Sequence, residues 1–388
     1  MYPNRKFYWR MALAVLLLFM LVTPAVAQVT TTITLQDTTI LPLSLAYDAT
    51  SGRFFMGTRA DGTVYVVAAD GTTQPFITDS ALTSASALYI DTARNWLFVL
   101  DSGFGGMMGM GGFGGQGQPP EGGQGQGQPP AGGQGQGQPP ADSQFPQSSL
   151  RLFAFDLATA ATVLDVDLAA VAPDGPKMAT SIAVDKDGFI YVTDSLAGVI
   201  YRVDSAGNAL YLADQQFASQ MSRFEGGQPP SGDTGQGQGQ PPADDQGQGM
   251  GLGRMGGFGL SAIVYHPDGL LIVVKSDDNT LYKIPLDNPQ NVTPITVAPA
   301  LTAANRLALL ADGRLAVISA QDGTVNILTS SDAWSTASVS ATLSAGSSIT
   351  ALTASGQTLY LLQVSAAASS DSQSAPLASS AIVSLAVP

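Results

Sequence analysis

Six stretches of the chain repeat one pattern: an alternating apolar run, a tight turn carrying Gly or Asn, and a second apolar run. They read LSLAYDATSGRFFMGT, SALYIDTARNWLFVLD, TSIAVDKDGFIYVTD, SAIVYHPDGLLIVVKS, NRLALLADGRLAVIS and SITALTASGQTLYLLQ. Period-two alternation on both sides of such a turn predicts a β-hairpin in each. The turn residues Gly52, Asn95, Gly188, Gly269, Gly313 and Gly356 recur about every 43 residues, except across two longer intervals. The surplus in those intervals matches two low-complexity tracts, residues 102–149 and 222–259, so a single period governs the whole chain.

A third apolar stretch follows each hairpin (TVYVV, LRLFAFD, VIYRVD, TLYKI, TVNIL and AIVSLAV), and a fourth follows five of them. Four short strands in a unit of about 43 residues are the signature of a β-propeller blade, since one such sheet buries its faces only by stacking on the next. The expected fold class is all-β, a six-bladed β-propeller with almost no helix. The last unit runs out at Pro388 after three strands, and TTTITL, Thr30 to Leu35, is available as its fourth. The last blade is thus expected to be closed by the N-terminal strand, which ties the chain ends together and removes a free edge.

The first 27 residues pass from basic Arg5, Lys6 and Arg10 through an apolar run, Met11 to Val22, to the small residues Ala25, Val26 and Ala27. This reads as a secretory signal peptide cleaved after Ala27, with 28–388 as the propeller domain. The apolar run is short for a bilayer span, so the expected product is secreted or extracytoplasmic, with no membrane span after cleavage. Cleavage removes only positive charge and makes the formal charge more negative than −14. A surface of that sign repels phosphate backbones and excludes nucleic acid as a partner. With 0 cysteines, thiol nucleophiles, thiolate metal sites and disulfides are excluded as well.

The two tracts are built from units such as GGQGQGQPPA, which hold too little apolar side chain to offset the entropy of ordering. Glycine does not recur at every third position, which excludes a collagen helix. Both are expected as disordered Gly/Gln/Pro insertions. The first falls between the second and third strands of blade two, the second between blades three and four. Loops alternate between faces in an antiparallel unit, so both insertions are expected on one face, together with the long connection at 365–380.

Units such as TSIAVDKDGFIYVTDSLAGVIYRVDSAGN and SAIVYHPDGLLIVVKSDDNTLYKI resemble blades of the senescence-marker/gluconolactonase-like superfamily, and also NHL-type propellers. The resemblance implies six blades and a calcium- or zinc-dependent hydrolase of lactones or esters. Its metal would sit in the central channel on Glu, Asn and Asp at the starts of innermost strands. The matching positions here are Leu43, Ser86, Thr180, Ser261 and Asn305, with Ser347 or Ser348 as the sixth. Only Asn305 is a residue type that the family uses.

A hard divalent cation draws its affinity mainly from several carboxylate oxygens, which that set lacks. The leading expectation is therefore a non-catalytic binding or scaffold module, monomeric and without a cofactor. It would contact a small molecule, glycan or protein through Asn305, Asp101, Asp194, Thr180, Ser261 and Ser86. The alternative is the metal-dependent hydrolase, with calcium or zinc on Asn305, Asp101 and Asp194. Asp101 and Asp194 end second strands, and Asp277 and Asp278 hold the analogous place in blade four. The competing role for such residues is to cap a turn by accepting backbone amides.

His266 is the only histidine, in the turn YHPDG on the opposite face; it is expected to be solvated, so no Ser-His-Asp triad can form in the channel. Met107, Met108, Met110, Met250 and Met255 carry thioethers suited to Cu(I), but their glycine spacing fixes no geometry.

Overall fold

The computed structural model describes residues 29–59, 61–102, 150–173, 175, 177–217, 259–319, 322–366 and 377–388. The expected leader at 1–27 lies outside them. So do the tracts at 102–149 and 222–259, apart from Ser102 and Gly259.

Strand β1 (Val29–Thr34) precedes a run of four, β2 (Pro42–Asp48), β3 (Arg53–Thr58), β4 (Val64–Val67) and β5 (Thr73–Ile77). Next come β6 (Ala87–Asp91), β7 (Trp96–Asp101), β8 (Arg151–Asp156) and β9 (Thr162–Asp167). They are followed by β10 (Ala179–Val184), β11 (Ile190–Asp194), β12 (Val199–Val203) and β13 (Ala209–Ala213). A fourth group holds β14 (Leu260–His266), β15 (Leu270–Lys275), β16 (Thr280–Pro285) and β17 (Thr293–Ala298). A fifth holds β18 (Ala304–Leu309), β19 (Leu315–Ser319), β20 (Thr324–Thr329) and β21 (Thr336–Ser344). The chain ends with β22 (Ile349–Ser355), β23 (Thr358–Ala366) and β24 (Leu377–Ala386).

These strands form four four-stranded sheets and one eight-stranded sheet. The groups starting at β2, β6 and β10 are antiparallel meanders, and β22-β23-β24 takes β1 as its outer strand, with Thr31 opposite Ser384. The groups starting at β14 and β18 join because their outer strands pair in parallel, Thr296 opposite Thr336. Among the described residues, helix amounts to two 3-10 turns, Leu168–Ala170 and Gln215–Phe217. The class is all-β, in a propeller-like arrangement.

The hairpins form because the turn residue tolerates a left-handed backbone. Gly52, Asn95, Gly188, Gly269, Gly313 and Gly356 all have positive φ, between 60° and 85°. At Gly188 a second constraint operates: a Cβ there would run into the Arg94 guanidinium, which donates to the Gly188 carbonyl at 2.9 Å. Aspartates one step before the turns fix them from the side. Asp48 accepts from Thr50 N at 2.9 Å, Asp91 from Ala93 N at 3.0 Å and Asp185 from Asp187 N at 2.9 Å.

The core lies between successive sheets. Phe55, Val99 and Phe153 fill the space between the first two groups, and Leu152, Ile182 and Val192 fill the next. Tyr191, Ile263 and Val273 follow, then Ile272, Leu307 and Val317, then Ile318, Leu343 and Leu361. Met56, Leu362 and Ile382 return to the first group. Each such side chain, fully buried, stabilises by about 1.5–3 kcal/mol. At the centre the innermost strands touch in sequence, β2 to β6, β10, β14, β18 and β22, and β22 touches β2 again. A channel therefore runs along the axis.

Candidate active site in the central channel

The channel is a cavity of 490 Å³ lined by residues of all six innermost strands. Five of those strands begin with a bulge, a single extra residue that breaks the register. The breaks fall between Pro42 and Ser44, Ala179 and Ser181, Leu260 and Ala262, Ala304 and Arg306, and Ile349 and Ala351. The extra residues are Leu43, Thr180, Ser261, Asn305 and Thr350. A bulge turns one side chain off the regular ladder, and it is a common way of aiming a residue at a site. On the remaining strand Ser86 sits just ahead of β6 and donates from N and Oγ to the Leu100 carbonyl, at 2.8 and 2.9 Å.

Four of the mouth positions aligned by sequence are thus bulge residues. The sixth is Thr350, not Ser347 or Ser348: Ser348 has φ 63° and stands before β22, with its carbonyl accepting from Val364 N at 3.0 Å. Leu43, Ser86, Thr180 and Thr350 line the cavity, whereas Ser261 and Asn305 do not. Ser261 Oγ shares a hydrogen bond with Ser276 Oγ. Asn305 is buried, and its Oδ1 has no hydrogen-bond partner among the described residues. Thr180 Oγ1 spans two sheets, meeting Thr193 Oγ1 and donating to the Leu260 carbonyl, both at 3.0 Å.

Asp101 and Asp194 are fully buried at the ends of β7 and β11 and do not line the cavity. Asp101 accepts from Thr83 N and Ser84 N, each at 3.1 Å, and from both of their hydroxyls. Asp194 accepts from the amides of Met178, Leu196 and Ala197 and from the Tyr201 hydroxyl. Burial pushes its pKa up; the hydrogen bonds oppose that without cancelling it. Asp277 and Asp278 face Lys275, with N–O distances of 3.4 and 2.8 Å. Burial opposes the charge on Lys275, but these carboxylates hold its pKa above the ordinary lysine value.

The donor set does not fit a channel metal. The described lining contributes hydroxyls, apolar side chains and one cation, without a carboxylate, and a hard divalent ion needs several anionic oxygens.

His266 corrects another expectation. It is 6% exposed and holds two hairpins together, with Nε2 and the Gly313 carbonyl 3.1 Å apart and Nδ1 accepting from Asp268 N at 3.2 Å. That pattern sets the tautomer with hydrogen on Nε2. Its ring lies edge-on to Trp334, 5.4 Å between centroids. Trp334, in the loop before β21, covers one side of the ring.

The charged residue in the lining is Arg306, which sequence reasoning passed over. Its layer holds Ser44, Ala87, Ser181, Ala262 and Ala351 on the other five strands, so one long cation stands among small side chains. Aligning the six hairpins at their mouth residues exposes this: the next residue is small in five units and Arg in the fifth. The side chain is half-buried, and burial pulls its pKa below the ordinary arginine value. Nε donates to the Thr350 carbonyl at 3.2 Å and Nη1 to the Asn305 carbonyl at 3.0 Å. Beyond it comes an apolar belt in which Leu88 and Leu352 are half-buried, while Leu45, Ile182, Ile263 and Leu307 turn mostly into the core between sheets. Toward the hairpin end come Tyr47, Tyr89 and Tyr265, and burial, then the charge of Asp91, pushes Tyr89 up to about 12.

No family model matches the sequence, and no curated protein is similar to it in sequence. Solved structures share its shape. The allergen Mala s 1 of Malassezia sympodialis is 15% identical at TM-score 0.58, over 91% of this chain and 95% of its own. A streptogramin B lyase is 8% identical at TM-score 0.51, over 92% and 97%. A putative gluconolactonase is 12% identical at TM-score 0.50, over 95% and 97%. The likeness is one of fold, and it includes the gluconolactonase-like propellers that the blade sequences resemble. It also corrects the expectation of a non-catalytic scaffold to this extent: the shape is shared with structures described as a lyase and a putative gluconolactonase, so it does not set the chain apart from enzymes.

Proposed function

We propose that the chain is an exported enzyme that hydrolyses lactones or related esters inside its central channel without a channel-bound divalent cation. We read its architecture as a six-bladed propeller closed by the N-terminal strand. The cyclic contacts of the innermost strands and the pairing of β1 with β24 support that reading. The basic and apolar leader at 1–27 supports export.

The observation that carries the function is Arg306 in a channel lining that holds no carboxylate among the described residues. A guanidinium fixed in the channel lining can donate to an ester carbonyl oxygen. It then stabilises the negative charge that grows there as water adds to the carbonyl carbon. The C–O bond to the alkoxide breaks, the alkoxide oxygen takes up the water's proton, and an acid and an alcohol result. The apolar belt holds the carbon body of the substrate, and Tyr89 stays protonated at neutral pH.

The test is acid release from a panel of lactones and aryl esters by EDTA-treated protein. The expected result is turnover that survives EDTA and falls about 10²–10³-fold in Arg306→Met, the range for loss of one oxyanion donor. Turnover that never rises above background, or that EDTA abolishes, overturns the reading.

A further inference from the structure

Five other arginines lean on a carboxylate or a ring. Arg94 pairs with Asp91 at 2.6 Å, Arg151 with Asp165 at 2.7 Å and Arg314 with Asp312 at 2.7 Å. Arg53 faces Asp48 at 3.9 Å, and Arg202 lies over the Phe189 ring, 3.7 Å from its centroid. Arg306 makes no ion pair among the described residues, although the chain carries 30 Asp and Glu against 16 Lys and Arg. Holding a half-buried guanidinium without a counter-charge disfavours folding. Its two bonds go to backbone carbonyls, which orient the group without neutralising it, and Nη2 has no protein acceptor among the described residues. Orientation without neutralisation is what a preformed anion site requires.

We propose that the bulged end of the channel is a carboxylate receptor, in which Arg306 grips the head of a small monocarboxylic acid whose carbon body lies on the leucine and isoleucine belt. The occupant follows from three features. The small residues around Arg306 leave room for a planar carboxylate, which a guanidinium meets with two parallel hydrogen bonds. Leucine and isoleucine follow at the next residue of each strand, and the half-buried Leu88 and Leu352 among them give a carbon chain or ring an apolar contact. One cation neutralises one negative charge, so the fit is to a monocarboxylate rather than to a phosphate dianion. The volume of 490 Å³ falls within the range of small-molecule sites. The receptor shares the channel with the hydrolase reading but needs no turnover.

Titration calorimetry with hexanoate and benzoate, against hexanamide and benzamide, tests it on the mature chain. Each acid and its amide share a shape and differ in charge. The expected result is a preference for the acids of about tenfold or more, as for a hydrogen-bonded charge. Arg306→Met is expected to abolish that preference while leaving amide binding in place. Equal affinity for acid and amide in the wild type, or a preference that survives in Arg306→Met, overturns the proposal. Should that variant fail to fold, Arg306→Lys decides. Lysine keeps the charge but loses the planar fork, so a reduced acid preference supports the receptor and an unchanged one overturns it. Acid preference without lactone turnover keeps the receptor and sinks the hydrolase; turnover without acid preference does the reverse.

Discussion

The Tyr201 hydroxyl donates to Asp194 Oδ2 at 3.1 Å, with both side chains closed to solvent. The other oxygen, Oδ1, collects the amides of Met178 at 2.9 Å, Leu196 at 3.1 Å and Ala197 at 3.0 Å. One carboxylate thus ties the loop entering β10 to the turn leaving β11. Both oxygens are engaged, and the residue acts as a structural knot set back from the channel.

Removing that knot should be costly, while neutralising it should not. Asp194→Ala strips three backbone amides of their acceptor in the interior, a loss of about 3 kcal/mol or more. Asn keeps an oxygen for the amides and presents an NH2 to Tyr201, whose hydroxyl can accept. Asp194→Asn is therefore expected within about 1 kcal/mol of wild type in urea unfolding at neutral pH. A large loss in the Asn variant would show that the charge itself is needed.

Two aspartates pull the pH dependence of stability in opposite directions. Asp194 has a raised pKa in the folded state. Its contribution is therefore full below the ordinary aspartate value of about 3.9 and is lost as pH rises through the raised value. Asp332 is held down to about 2, first by the amide and hydroxyl of Thr336, so its contribution is full above about 4 and lost as pH falls through about 2. Urea midpoints measured from pH 2 to 8 should show Asp194→Asn losing less stability than wild type as pH rises, and Asp332→Asn losing less as pH falls. Parallel profiles for all three proteins would contradict both assignments.

His266→Ala is expected to lower stability by about 2–3 kcal/mol, since it removes the bond to Gly313 and the edge-on contact with Trp334. A thermal shift of less than about 2 °C would mean that the ring is not a latch. His266→Gln, which can still donate toward Gly313, should recover part of the loss.

The first tract can be shortened without harm to the sheet. Asp101 and Arg151 are direct partners across β7 and β8, so the chain leaves and re-enters at adjoining points. Deleting 106–147 shortens the closed loop by roughly three doublings, each worth about 0.6 kcal/mol of closure entropy. The deleted protein is expected to melt no lower than wild type, and slightly higher. A lower melting temperature would mean that the tract packs on the folded part.

The all-β class and the propeller-like arrangement were legible in the sequence because hairpins are local. Alternation and a left-handed turn residue lie within a few residues of each other, and Gly52, Asn95 and their equivalents can be read without knowing their neighbours. The same alignment reached the mouth positions Leu43, Thr180, Ser261 and Asn305. It missed Thr350, because Ser347 and Ser348 imitate its chemistry and only the pairing of β22 with β23 separates them. His266 was misread for a related reason: a turn looks solvated until another unit covers it, and here Trp334 does.

The sequence by itself determined the period, the turn at each hairpin and the acidic balance of the chain, since these depend on residue type and short-range spacing. Tertiary structure decided which polar groups are spent and which are left over. Asp101 and Asp194 could be read as ligands or as turn caps, and their oxygens are consumed by amides and hydroxyls brought in from neighbouring loops. Arg306 drew no reading from sequence, and it stands in a channel lining that holds no carboxylate among the described residues. A charge acquires meaning from what does or does not neutralise it, and those neighbours come together only when the sheets pack against one another.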